Sequence, residues 1–146
     1  MLNKMKDRGL FVVAFNAPFD FTMLRAECDR LDNPFPYGGL HVIDPLVVER
    51  GNERNIPVFV KPWMRQIEMA KRYGLVEPQH EAMGDAICAG QIAIEQSLHY
   101  PIRSLSMPEL HRRQEKWYDE WAGKFISFAR KKNFNVSIPK WPFGDT

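Results

Sequence analysis

The chain has 146 residues, enough for one domain with a buried core. At 45% hydrophobic and 26% charged residues it has the composition of a soluble globular protein, not of a disordered or fibrous one. No apolar run approaches the roughly 18 residues of a membrane span, and a net charge of +2 is too small to argue nucleic-acid binding by itself.

Residues 1–9 carry Lys4, Lys6 and Arg8 and read as the polar end of a helix whose beginning is absent. Gly9 breaks it. Leu10–Phe15 is a continuous apolar run, which fits a strand buried on both faces of an α/β sheet. This run is too short for a signal peptide and no small-residue cleavage site follows it. Asn16 is placed to cap a following helix, Pro18 suits its first turn, and Asp20 sits near its positive end. Phe21, Leu24, Cys28 and Leu31 recur at spacings of three and four and predict one buried face. Asp32–Gly39 is a loop by its Pro and Gly content. Leu40–Ile43 predicts a second short strand, ending at Asp44-Pro45. Cys28 and Cys88 have no C-x-x-C spacing and read as reduced helix or core residues of a cytoplasmic protein.

Val47–Arg54 predicts a helical turn that gives way to a loop. Pro62 predicts a helix start, with Trp63, Ile67 and Ala70 on one face and Gly74 as the stop. A further helix is expected from about Glu81 to Leu98. Gly84, Ile87, Ile94 and Leu98 mark one side of it, and the small residues Ala86, Ala89, Gly90 and Ala93 beside them allow close packing. Ser106-Met-Pro-Glu109 is a capping box with proline in the first turn. Leu110, Gln114, Trp117, Trp121, Phe125 and Phe128 follow at helical spacing to about Lys132, with the aromatics expected in the core. The basic clusters Arg112-Arg113-Lys116 and Arg130-Lys131-Lys132 read by default as a solvated face, with phosphate contact as the sharper alternative. Residues 133–146 are expected to be irregular. The chain divides at about residue 104, with 105–146 forming a helical extension and tail.

Two stretches carry chemistry. Val12–Asp20, VVAFNAPFD, is an apolar strand running into a turn with an acid at a helix start. His80–Ala86, HEAMGDA, puts a histidine five residues before a second such acid. Taken singly, Asp20 is a first-turn helix acid stabilised by the dipole, Asp85 is an ordinary helix acid, and His80 is a surface or capping histidine. Five helical residues turn through about 140°, so His80 and Asp85 converge only if His80 lies on the loop before the helix. Glu77-Pro78 favours that.

In this order, an Asn-Ala-x-Phe-Asp turn followed by His-x4-Asp resembles the second and third motifs of the DEDDh, or DnaQ-like, 3′–5′ exonucleases. The resemblance covers most of residues 10–98, and it is similar to the C-terminal part of an epsilon-type proofreading subunit. It implies an incomplete ribonuclease H-like α/β fold, a mixed sheet flanked by helices. The implied activity is removal of nucleotides from a single-stranded or frayed DNA 3′ end by two-metal-ion hydrolysis. In that chemistry, carboxylates hold two Mg²⁺ or Mn²⁺ ions about 3.5–4 Å apart and a base takes a proton from the attacking water. Carried onto this chain, Asp20 and Asp85 are metal-site acids, Asp85 directly and Asp20 largely through water. His80 is the general base, and Asn16 and Phe19 lie near the substrate's 3′ end. Asp44 matches an acid common at a strand end in the family and reads as structural.

The family's first motif, an Asp-x-Glu pair on the first strand, has no match anywhere in the chain. The resemblance therefore implies impaired binding of two cations and near-background hydrolysis by this chain alone. It also implies that Leu10–Phe15 lacks a neighbour and exposes an apolar edge. The expected partners are a separate N-terminal exonuclease fragment and a DNA polymerase, with no membrane. A second reading, from another class, is a non-catalytic nucleic-acid- or polymerase-binding remnant of the fold. A third is an unrelated α/β protein with chance motifs.

Overall fold

A computed structural model describes residues 1–144. The chain is mixed α/β, with helix α1 Leu2–Asp7, strand β1 Phe11–Val13, helix α2 Ala17–Arg30, strand β2 His41–Ile43, and helices α3 Pro45–Asn52, α4 Pro62–Arg72, α5 Ala82–His99 and α6 Met107–Lys131. β1 and β2 pair in parallel, with Phe11, Val12 and Val13 opposite His41, Val42 and Ile43. A parallel pair needs a crossover, and α2 provides it.

The two edges of this small sheet differ. Side chains of α6 close the outer edge of β2. The Val42 N–H donates to His111 Nδ1 at 3.4 Å and the Asp44 N–H to Gln114 Oε1 at 2.7 Å, while Gln114 Nε2 donates to the Val42 carbonyl at 2.9 Å. Gln114 is fully buried, and these bonds replace what a third strand would supply. The outer edge of β1 pairs with no strand among the described residues.

Asp44 joins the elements. It caps α3 by accepting the Leu46 N–H at 3.1 Å. It also accepts the Asn16 N–H at 3.0 Å and the Ala17 N–H at 2.8 Å, which serves the start of α2, and the Trp141 indole N–H at 3.3 Å. Complete burial raises its pKa; the donors from Ala17, Asn16 and Trp141 and the nearby Arg50 charge act the other way. The structural reading of Asp44 holds. The expectation that the Asn16 side chain caps α2 does not: it makes no capping bond, and the residue turns the chain in the left-handed region at φ 63°. Asparagine tolerates that region better than most residues.

The main core gathers Ala17, Phe21, Phe35, Leu40, Val42, Val47, Tyr118 and Trp141. A second group, Met69, Ala70, Cys88 and Ile92, joins α4 to α5. Glu49, fully buried on α3, takes a two-pronged bond from Arg65 at 2.6 and 2.7 Å and another from Arg72 at 3.1 Å. Charge-assisted forks of this kind fix orientation as well as distance, here between α3 and α4.

The Ser106–Glu109 capping box is present, with Glu109 Oε2 accepting the Ser106 N–H at 2.8 Å. Residues 133–140 have no regular structure, but the stretch after them is packed. Trp141 is buried, and the Phe143 ring meets Phe21 at 5.2 Å and Phe35 at 5.6 Å. Asp145 and Thr146 lie outside the described residues.

Several expected faces differ. β1 is not buried on both sides, since Phe11 is exposed and Val12 and Val13 are half-buried. On α2, Phe21 is buried and Cys28 half-buried, but Leu24 and Leu31 are exposed. On α4 the buried positions are Gln66, Met69 and Ala70, and Trp63 is exposed. On α5 they are Cys88, Ala89, Ile92 and Gln96, whereas Ile87, Ile94 and Leu98 face outward. The helical turn expected at Val47 begins at Pro45, because Asp44 caps it there. Along the aromatic stripe of α6, Trp117, Trp121 and Phe125 are half-buried and Phe128 is exposed.

Candidate functional site

A cavity of about 650 Å³ lies where the C-terminal end of β1 meets the first turns of α2, α4 and α5. Strand and helix ends generate such a place: residues 12–16 supply backbone, and α2 and α5 each bring an acid in the first turn. The lining is largely apolar, with Leu24, Trp63 and Ala89 among its members. Asn16, Phe19, Asp20 and Asp85 all belong to it.

The two acids are held differently. Asp85 is half-buried, and its Oδ1 is buried without a hydrogen-bond partner. Its backbone is fixed on both sides, the N–H donating to the Glu81 carbonyl at 2.9 Å and the carbonyl accepting Gln66 Nε2 at 2.9 Å. A rigid helix start therefore carries a carboxylate oxygen removed from water and unsatisfied by protein. Such a group is costly unless something else fulfils it. Asp20 is exposed, yet neighbouring atoms desolvate it enough to raise its pKa above the ordinary carboxylate value.

His80 is on the loop before α5, where convergence with Asp85 requires it. It adopts the left-handed region at φ 58° and is exposed. It is not one of the lining residues. Its ring packs edge-on against Trp63, which is, with centroids 5.7 Å apart. The geometry thus brings Asn16, Phe19, Asp20 and Asp85 to one cavity and leaves His80 one side chain away.

Comparison of the chain with protein-family models, curated proteins and solved structures found no match.

The donor set fits divalent cations only in part. Asp85 offers a free oxygen of the hard type that Mg²⁺ and Mn²⁺ prefer, and Asp20 lines the same cavity. No group of three or more His, Cys, Asp or Glu side chains able to hold a metal is present among the described residues. Two carboxylates are fewer than a pair of cations needs, so no ion-borne step is assigned to the chain by itself.

Two participants were not legible in the sequence. Trp63 is both cavity wall and partner of His80, and Gln66 anchors the Asp85 backbone. Pro62 announced the helix that carries them, but nothing local says which of its faces meets α5. No helix among the described residues is long and apolar enough to cross a membrane.

Proposed function

We propose that this chain forms part of a metal-dependent 3′–5′ exonuclease of DEDDh type, with DNA as substrate, within an incomplete ribonuclease H-like fold. One observation carries the reading: Asp85, a residue of the resembling motif, holds a buried, unpartnered carboxylate oxygen in a cavity that Asp20 also lines. The unpaired edge of β1 adds support, because a strand bearing the absent Asp-x-Glu pair has a place to dock there.

On this reading, Asp85 at the start of α5 would be one ligand of a divalent cation that would polarise the substrate's phosphate, with the remaining carboxylates supplied by a further strand. Asn16 and Phe19 contact the terminal nucleotide. His80 takes the proton from the attacking water, after the His80–Trp63 contact opens toward the cavity. A DNA polymerase is a candidate partner by family resemblance.

The test is to translate the DNA upstream of the Met1 codon, express the longer polypeptide or both pieces together, and follow shortening of a 5′-labelled oligonucleotide with Mn²⁺. The present chain alone is expected to trim at background rate, and the completed protein to trim processively from the 3′ end. Asp85→Ala in the completed protein should abolish trimming. Unchanged trimming in that variant excludes the site. Oligonucleotide binding without trimming, and no Asp-x-Glu upstream, would replace this reading with the binding remnant.

A further inference from the structure

Helix α5 is apolar on two opposite sides. Cys88, Ala89, Ile92 and Gln96 are buried against the rest of the molecule, whereas Met83, Ile87, Ile94 and Leu98 are 76, 56, 62 and 60% exposed. A helix apolar on both sides is ordinarily buried on both. The four exposed side chains fall within one narrow stripe, since spacings of four, seven and four residues return to nearly the same angle at 100° per residue. The stripe runs about 22 Å along the helix. It contains no charge: the acids of α5, Asp85 and Glu95, point elsewhere on the helical wheel.

The stripe is also a palindrome. Met83 and Leu98 are equidistant from the midpoint between Gly90 and Gln91, and so are Ile87 and Ile94. In an antiparallel helix pair with its twofold axis at that midpoint, each Met83 meets the other Leu98 and each Ile87 meets the other Ile94. Gly90 lies at the crossing point, and a Cβ built there would meet no other atom within 4 Å, so the partner can approach closely. Antiparallel pairing also sets each helix N-terminus beside the other's C-terminus, the favourable arrangement of dipoles. A surface patch that complements itself about a twofold axis is what an isologous dimer requires.

We propose that α5 is the interface of a homodimer, in which two copies pack antiparallel through Met83, Ile87, Ile94 and Leu98. The occupant is a second copy of this chain because the stripe matches its own reverse in residue size and spacing. A single helix face is a small interface, so the association is reversible and depends on concentration. The inference is independent of the exonuclease reading, which involves the opposite side of α5 and the edge of β1.

Sedimentation across a range of protein concentrations tests it, together with cysteine cross-linking. The chain is expected to shift from the mass of one copy to that of two as concentration rises. Ile94→Glu should remain a single copy throughout; its site is exposed, so the helical circular dichroism should match the parent. In the double variant Met83→Cys with Leu98→Cys, oxidation should give a covalent dimer on a non-reducing gel. Either single variant should not, because the introduced cysteines of its two copies lie at opposite ends of the seam; the parent, with Cys28 and Cys88 alone, is the control. Three results would each overturn the proposal: a single copy at every concentration, a dimer that survives Ile94→Glu, or cross-linking as strong in a single variant as in the double.

Discussion

The two edges of the sheet were built to different standards. On the β2 side, polar groups are met by protein: His111 and Gln114 close the strand edge, and Asp44 receives four donors. On the β1 side, no strand pairs with the outer edge among the described residues, Leu10, Phe11, Phe19 and Leu24 are exposed, and Asp85 keeps an unpartnered oxygen. Two buried side-chain oxygens lack a partner among the described residues: Asp85 Oδ1, whose residue lines the cavity, and Gln96 Oε1, in the packing of α5 on α3. Of the two, only the Asp85 oxygen belongs to a residue that lines a cavity, where something received there can satisfy it.

Substitutions on the two sides should separate sharply. The largest effect is expected for Asp44→Ala. It strands the donors at the starts of two helices, the Trp141 N–H and the neighbouring Arg50 charge. Each buried donor left unsatisfied costs about 1–3 kcal/mol, so losing several together is a large share of the about 5–15 kcal/mol that holds a domain together. Urea unfolding should show the midpoint collapse or the cooperative transition vanish.

Gly51→Ala should come next, against the usual rule. Alanine in a helix normally stabilises by up to about 1 kcal/mol over glycine. Here a Cβ would stand 2.1 Å from Cδ2 of Trp117 on α6. Overpacking of that kind costs about 1–3 kcal/mol, so the net change should be destabilising, and a raised melting temperature would contradict the packing of α3 on α6.

A third effect depends on pH. Burial and the neighbouring His41 lower the pKa of His111 below 6.5, and its Nδ1 must be unprotonated to accept the Val42 N–H. A depressed pKa means that the folded state resists protonation more than the unfolded state does. Its contribution is therefore intact above 6.5 and is lost as pH falls from there through the folded-state pKa. Denaturation midpoints measured between about pH 5 and 8 should show this step, and His111→Gln should flatten it.

The smallest effect belongs to the open side. Asp85→Asn removes no hydrogen bond at Oδ1, which has none, and the backbone anchors to Glu81 and Gln66 remain. The helix-start charge is worth about 0.3–1 kcal/mol, and relief of the buried oxygen offsets part of that. Stability should change by less than about 1 kcal/mol in thermal melts. A loss comparable to that of Asp44→Ala would erase the contrast and assign Asp85 to the scaffold.

Much of the local architecture was present in the linear chain. Ser106 and Glu109 marked the start of α6, Pro62 that of α4 and Gly74 its stop, because capping and termination are decided within a turn of helix. The apolar runs beginning at Leu10 and Leu40 located both strands, although each is shorter than its run. The loop position of His80 was favoured by Glu77-Pro78 just upstream; the angle between His80 and Asp85 only stated what convergence would need. The sharing of one cavity by Asp20 and Asp85 was implied only by the family resemblance.

What tertiary structure alone decided was which apolar face meets the core and where the distant polar partners lie. Asp44 and Trp141 are 97 residues apart, and Asp44 and Gln114 are 70 apart; no local pattern encodes such pairs. Helix α5 makes the limit plain. Its periodicity marks Ile87, Ile94 and Leu98 as readily as Cys88 and Ile92, since both sets have the spacing of a buried face. Periodicity reports that a face is apolar; only the packing of α5 against β1, α3 and α4 selects the one that is buried within this chain.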